Sequence, residues 1–165
     1  MKLINYILDE KIISENVEIF QNKKNNNLVL NLYNKYYYEE SEEFITNYCH
    51  LMNTINFKSI LVGGLGLGII PFYLLNKGIS DIEVIEKDKN LITIINQLGY
   101  LKNVVIHNDD VYKFKTNKKY DLILMDIWWY ADSNFVNEKN IILSNYKNNI
   151  NKEGKIYFPI INEML

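Results

Sequence analysis

This 165-residue chain contains no arginine, a single alanine and a single cysteine. Guanidinium groups make the bidentate contacts with phosphate and guanine on which many nucleic-acid-binding proteins depend. The 18 basic residues are all lysines, they form no basic patch, and the formal net charge is −2. We therefore expect no nucleic-acid partner.

The lone cysteine, Cys49, cannot form a disulfide within one chain, which is typical of proteins from a reducing cytoplasm. No run of about 18 apolar residues occurs, and residues 1–6 do not begin an apolar core of signal-peptide length. The 48% hydrophobic content suits one folded core in a chain of this length. We expect a cytoplasmic protein that does not interact with membranes.

Glycine is also scarce, with seven in the chain, but four of the seven lie close together. They follow the apolar run 59–62 and precede a second apolar run at 69–75. A strand-length apolar run, a glycine turn and a helical apolar pattern predict the first strand, loop and helix of a nucleotide-binding α/β unit. Glycine can take a positive φ and lets a ligand lie against the main chain. The predicted ligand-binding glycines are Gly63, Gly64, Gly66 and Gly68.

The spacing of these glycines differs from that of a dinucleotide-binding loop. The dinucleotide fingerprint has the form Gly-x-Gly-x-x-Gly, whereas Ile69 stands here where the third glycine of that pattern would be. The loop instead reads Gly64-x-Gly66-x-Gly68. A tight turn in some other α/β protein is the alternative interpretation.

Apolar strands alternate with helical patterns after the glycine loop. The predicted strands are 59–62, 82–86, 104–106, 122–126 and 155–158. The predicted helices are 67–77, 89–98 and 134–150. Five strands separated by helices predict a doubly wound, Rossmann-like parallel sheet with the strand order 3-2-1-4-5. The sheet would be truncated at its C-terminal side, because no closing antiparallel strands follow. This domain spans 58–165.

Residues 1–57 form a separate N-terminal section in this interpretation. Two strands at 17–20 and 28–33 predict a β-hairpin, and a helical pattern begins at Ser41. A hairpin alone is too small to be stable and exposes its edges. We therefore expect a homodimer, which is the commonest closed assembly. Its apolar contacts would come from Phe20, Leu28, Leu30 and Leu32.

Acidic residues stand at the ends of three successive predicted strands. Glu86 closes the second strand and could accept hydrogen bonds from both ribose hydroxyls of a nucleoside. Asp109 and Asp110 follow the third strand, where Asp109 could accept from an adenine amino group. Asp126 ends the fourth strand beside the same crevice, and we assign it to cofactor binding and catalysis. Together with the glycine loop they predict an adenosine-type ligand. No metal site is expected, because His50 has no second metal-type ligand nearby.

Several segments resemble motifs of the class I S-adenosylmethionine-dependent methyltransferases. They are 64–68, Glu86, Asn108-Asp109 and 120–126, and the resemblance covers residues 58–158. It implies S-adenosylmethionine as the cofactor. Within that fold the arrangement looks most like the spermidine synthase group, which has a small β section and an acidic pair before its glycine loop. That likeness implies a substrate-binding role for Glu43.

One position separates the candidate activities. Spermidine synthases have a catalytic aspartate where this chain has Trp129, and aminopropyl transfer needs a base to deprotonate the attacking amine. Our first hypothesis is therefore a methyltransferase acting on a small molecule, with Trp128, Trp129 and Tyr130 beside the methyl group. Packing under a loop or an oligomer contact would equally explain the tryptophans. The alternatives are an aminopropyltransferase with a displaced base and a non-catalytic binder of S-adenosylmethionine or a nucleoside.

Overall fold

The described part of the chain forms two β-sheets. A computed structural model describes residues 11–25, 27–33, 36–39, 57–128 and 133–159. The predicted helix beginning at Ser41, with Glu43, lies outside these residues, as do Trp129 and Tyr130. One sheet has four strands and the other has five.

The N-terminal sheet is a meander of antiparallel strands in the order β1-β2-β3-β4. Its strands are β1 Ile12–Ser14, β2 Val17–Gln21, β3 Leu28–Leu32 and β4 Tyr36–Glu39. The predicted hairpin is confirmed as β2 and β3, with Val17 opposite Leu32. The flanking strands β1 and β4 were not predicted. They are short, and β1 has only three residues.

The second sheet is parallel and has the order β7-β6-β5-β8-β9. In chain order its elements are β5 Ser59–Gly63, α1 Ile69–Asn76, β6 Asp81–Glu86, α2 Lys89–Leu98, β7 Val105–Asn108, β8 Tyr120–Met125, α3 Phe135–Tyr146 and β9 Ile150–Tyr157. Counted within this domain, the order is 3-2-1-4-5, so the predicted doubly wound Rossmann-like fold is confirmed. β5 and β8, at the centre of the sheet, are largely apolar because helices cover both faces of such a sheet.

The ends of the first two helices follow from local sequence signals. The Asp88 side chain caps α2 by accepting hydrogen bonds from the backbone N–H groups of Asn90 and Leu91. Gly99, at φ 75°, follows the last turn of α2, and Gly78, at φ 83°, follows α1. Glycine is common just after the last turn of a helix because it takes a positive φ without strain.

The last helix and strand differ from their predicted bounds. α3 ends at Tyr146, and β9 begins at Ile150 rather than at Lys155. The Asn149 side chain donates to two backbone carbonyl oxygens in the segment before β8, which fixes the chain just ahead of β9. Gly154 lies within β9, beside the point where the β8–β9 register is irregular. A Cβ there would lie 2.9 Å from backbone oxygens of β8, so glycine lets β9 pass this point.

The apolar face of the N-terminal meander packs against the Rossmann-like domain within the same chain. Val17, Ile19, Leu28 and Leu30 share one core with buried residues of α2, including Leu91. Leu28 and Leu30 are 1% and 0% exposed. The expected dimer contacts through these two leucines are therefore wrong, because their side chains are covered inside the chain. A homodimer stays a prediction without them.

The helices are short. The longest helix among the described residues, α3, has 12 residues, and no described helix is long and apolar enough to cross a membrane.

Tyr120, at the start of β8, gives a testable pH dependence. Its hydroxyl is buried and has no hydrogen-bond partner among the described residues. Burial, and then the Glu83 carboxylate, raises the pKa of Tyr120 to about 12. An unfolded tyrosine ionises near pH 10, so this group's contribution to the free energy of unfolding is lost as the pH rises above 10, by up to about 1.4 kcal/mol per pH unit.

We expect Tyr120→Phe to leave the free energy of unfolding unchanged or higher at pH 7, and to make its decline between pH 10 and 12 less steep. Tyr146→Phe is the control. The Tyr146 hydroxyl is also buried but donates to the Val111 carbonyl oxygen at 2.7 Å, so its removal should destabilise the chain at pH 7 by about 1 kcal/mol. Urea unfolding at pH 7 and at several pH values between 10 and 12 measures these free energies of unfolding. Equal destabilisation by the two changes at pH 7 would contradict the prediction.

Candidate functional site

A cavity lies at the carboxyl ends of the parallel strands. Its volume is about 440 Å³, and its walls come from the segments that follow β5, β6, β7 and β8. The last residue of β3, the residue after it, one residue of α2 and one of α3 complete the wall. The order of strands reverses beside β5, and open α/β sheets bind their ligands at that place.

Two of the predicted glycines line the cavity, and they do so for different reasons. Gly64 has φ 92°, and a Cβ there would lie 2.4 Å from the backbone oxygen of Asp126. Only glycine therefore fits between the ends of β5 and β8. Gly66 has φ 50°, and a Cβ there would meet nothing within 4 Å. The space beside Gly66 is thus open, and Gly66 lines the cavity.

The other two predicted glycines are not among the residues that line the cavity. A Cβ on Gly63 would lie 2.4 Å from the Met125 sulfur. A Cβ on Gly68, which has φ 71°, would lie 2.7 Å from Leu101 Cδ1. Close packing explains both glycines, and their binding role stays a prediction.

Glu86, at the end of β6, is the one buried charged side chain among the described residues, at 9% exposure. Its Oε2 accepts from the Leu65 backbone N–H at 2.9 Å, and its Oε1 accepts from the Asp88 N–H at 2.8 Å. A carboxylate needs such partners when it is buried. Each oxygen keeps a second lone pair, so Glu86 holds the glycine loop in place and can still accept from a ligand.

The acidic turn after β7 is tied to the end of β6. The Asn108 side chain and the Asp109 backbone N–H both donate to the Glu86 carbonyl oxygen at 3.1 Å. The Asp109 carboxylate accepts from the Asp110 N–H at 2.7 Å. Asp109 and Asp110 both line the cavity, and so the structure brings them to the same site as Glu86.

Asp126 and Trp128 line the cavity on the β8 side. The Trp128 indole N–H donates to Glu138 Oε2 at 2.5 Å. The indole ring lies edge-on to Phe135, with 5.1 Å between ring centroids, and tilted to Phe158 at 5.7 Å. Trp128 therefore packs against its neighbours and also lines the cavity, and its role beside the methyl group stays a prediction.

Tyr112 and Glu138 are among the polar residues of this wall that sequence reasoning missed. The Tyr112 hydroxyl donates to Glu138 Oε2 at 3.0 Å, and both residues line the cavity. Burial, and then Glu138, raises the pKa of Tyr112 well above its usual range, so the hydroxyl stays a donor. Glu138 had no distinguishing signal, because an acidic residue in the first turn of a helix is ordinary.

Solved methyltransferase structures share this architecture. The plantazolicin methyltransferase BpumL, in complex with a monoazolic desmethylPZN analogue and S-adenosylhomocysteine, has a TM-score of 0.52 and 23% identity over 70% of this chain. Coclaurine N-methyltransferase, bound to N-methylheliamine and S-adenosylhomocysteine, has a TM-score of 0.55 and 18% identity over 70%. The glycopeptide N-methyltransferase MtfA has a TM-score of 0.54 and 12% identity over 72%. The chain has a methyltransferase-type fold.

The extent of this likeness is limited. The chain spans 44%, 34% and 53% of the lengths of those three proteins. Identities this low establish the fold alone. No protein-family model and no curated protein matches the chain. None of the three structures is a spermidine synthase, so that finer resemblance stays a prediction.

The methyltransferase-type fold carries an acidic cavity in this chain. The charged residues of its wall are carboxylates with the single exception of Lys87. They are Glu86, Asp88, Asp109, Asp110, Asp126 and Glu138. Among the described residues, no group of three or more histidine, cysteine, aspartate or glutamate side chains is arranged to hold a metal ion. The electrostatic potential of the cavity therefore favours a cationic ligand.

Proposed function

We propose that this chain binds S-adenosylmethionine in the cavity and transfers its methyl group to a small-molecule acceptor. The observation that carries the proposal is the acidic wall around a glycine loop that is open at Gly66. S-adenosylmethionine has a positive sulfonium and no phosphate, so carboxylates attract it, whereas they repel the pyrophosphate of a dinucleotide. The cavity volume of about 440 Å³ falls in the range of small-molecule sites.

The residues on the β6 side suit the nucleoside end of this ligand. Glu86 has lone pairs left for two ribose hydroxyls, and the open space at Gly66 admits the ligand against the main chain. Asp109 would accept from the adenine amino group, as the sequence predicts, and Asp110 lies beside it in the cavity wall. S-adenosylhomocysteine in two of the similar methyltransferases supports this choice of cofactor.

The residues on the β8 side suit the acceptor. The cofactor supplies a methyl group on a sulfonium, and displacement requires the acceptor atom to lie in line with the bond that breaks. Trp128 is fixed by Glu138 and two phenylalanine rings, so it offers a rigid aromatic wall for that purpose. Asp126 would orient the acceptor or take the proton that the acceptor loses.

Calorimetry with the purified chain tests the cofactor. We expect S-adenosylmethionine and S-adenosylhomocysteine to bind and NAD to give no heat of binding under the same conditions. The NAD titration is the control for the charge argument. Absence of binding by both S-adenosyl compounds, or tighter binding of NAD, would contradict the proposal.

Product analysis then separates the reaction classes. The chain is incubated with S-adenosylmethionine and pools of small metabolites, and the nucleoside product is identified by mass spectrometry. Acceptor-dependent S-adenosylhomocysteine is the expected product. Methylthioadenosine would indicate aminopropyl transfer instead, and binding without any product would indicate a non-catalytic binder.

A further inference from the structure

Two residues other than glycine have a positive φ among the described residues. They are Glu15, at φ 48°, and Tyr33, at φ 57°. This backbone conformation is uncommon for side chains other than Asn, Asp and His, and is an outlier for a bulky aromatic. Such residues persist where the surrounding structure holds them, and they cluster at ligand-binding sites.

Both residues make a hydrogen bond at the start of α2, Tyr33 with its capping residue Asp88 and Glu15 with Asn90 in its first turn. The Tyr33 hydroxyl donates to Asp88 Oδ2 at 2.5 Å, and the Glu15 carboxylate accepts from the Asn90 side chain at 2.8 Å. The Tyr33 backbone N–H also donates to the Asn16 carbonyl oxygen at 2.6 Å. Hydrogen bonding to Asp88 raises the pKa of Tyr33. The N-terminal meander is thereby fixed to the helix that follows Glu86.

Hydrogen bonds then continue from Tyr33 to the glycine loop. Asp88 accepts from Tyr33 with its side chain and donates to Glu86 with its backbone N–H, at 2.8 Å. Glu86 in turn accepts from Leu65 in the glycine loop, at 2.9 Å. Tyr33 also lines the cavity, whereas Glu15 is not among the lining residues. Of the two strained residues, Tyr33 is therefore the one placed to contact a ligand in the cavity.

We propose that Tyr33 is a binding residue that contacts the nucleoside portion of the ligand with its phenol ring. This inference rests on the proposed function. The ring is on the β6 side, held by Asp88 only two residues beyond Glu86, and so lies beside the group assigned to the ribose. An aromatic ring there packs against a ribose and stacks on a base. The meander is then part of the ligand site, in addition to its role in the core.

Tyr33→Asn tests the ring because asparagine accepts a positive φ, and the fold should therefore survive the change. We expect S-adenosylhomocysteine to bind about tenfold or more weakly, as for a lost aromatic stacking contact. Tyr33→Phe keeps the ring and loses only the hydrogen bond to Asp88. It should weaken binding by a smaller factor of about two to five.

Glu15→Asn is the matched control, because it changes a residue with nearly the same φ on the same sheet, outside the cavity. It should leave the affinity unchanged, and thermal melts should show that both asparagine variants are folded. Methylthioadenosine, which keeps the nucleoside and lacks the amino-acid portion, should lose the same factor of affinity as S-adenosylhomocysteine in Tyr33→Asn.

The outcomes separate this inference from the proposed function. Normal binding by the unmodified chain together with unchanged affinity in folded Tyr33→Asn would overturn the inference alone. Equal losses in Tyr33→Asn and Glu15→Asn would also overturn it, since they would indicate a structural effect of the meander. No binding by the unmodified chain would overturn the proposed function and this inference with it.

Discussion

Gly66→Val should abolish S-adenosylhomocysteine binding while the chain stays folded. A Cβ at this position meets no atom within 4 Å, so the larger side chain fits the protein but fills space in the cavity. Backbone strain at φ 50° should cost about 1 to 2 kcal/mol of stability. We expect the affinity to fall about a hundredfold or more, which corresponds to about 2.8 kcal/mol of binding free energy.

Gly78→Val is the matched control for that experiment. Gly78 also has a positive φ, 83°, and also has nothing within 4 Å of a Cβ, but it follows α1 and does not line the cavity. Its variant should lose a similar amount of stability and keep its affinity. Calorimetry and urea unfolding measure the two quantities. A folded Gly66→Val chain that binds normally would show that the loop is only a turn.

Glu86→Ala should have two effects of similar size. It removes the acceptor for ribose hydroxyls, which should weaken S-adenosylhomocysteine binding about tenfold or more. It also leaves the N–H groups of Leu65 and Asp88 without their carboxylate, which should lower the free energy of unfolding by about 1 to 3 kcal/mol. Glu86→Gln keeps the volume and one acceptor oxygen, so both losses should be smaller.

Asp121→Ala is the control that separates the two effects. Asp121 likewise accepts from two backbone N–H groups, those of Lys58 and Ser59, at 2.8 and 3.1 Å. It lies at the opposite end of the sheet and does not line the cavity. Its variant should be destabilised like Glu86→Ala but should bind the ligand normally. Unchanged affinity in Glu86→Ala would rule out the ribose assignment.

The architecture of the Rossmann-like domain could be predicted because its signals are local. The apolar strands and the glycines that follow α1 and α2 each act within a few residues of the chain. Right-handed crossovers then leave few topologies for a parallel sheet, which is why the strand order was correct. The predicted bounds of α3 and β9 were less accurate. The end of α3 and the course of β9 depend on contacts that Asn149 and Gly154 make with segments distant in the chain.

Sequence alone determined which residues meet at the carboxyl ends of the strands. Glu86, Asp109, Asp110 and Asp126 follow predicted strands of one parallel sheet, so topology places them together, and the structure has all four in the cavity wall. The same local logic identified Gly64 and Gly66. These residues follow from strand order and from glycine conformation, and neither depends on how distant side chains pack.

Only the tertiary structure decided the remaining parts of the wall. Tyr33 reaches the site because the meander packs its apolar face on α2, and Glu138 reaches it because α3 places a carboxylate against Trp128. Tyr33 and Asp88 are 55 positions apart in the chain, and no periodic pattern links residues at such a distance. Burial of the meander within the chain, rather than between copies, likewise depends on how two apolar surfaces fit in three dimensions.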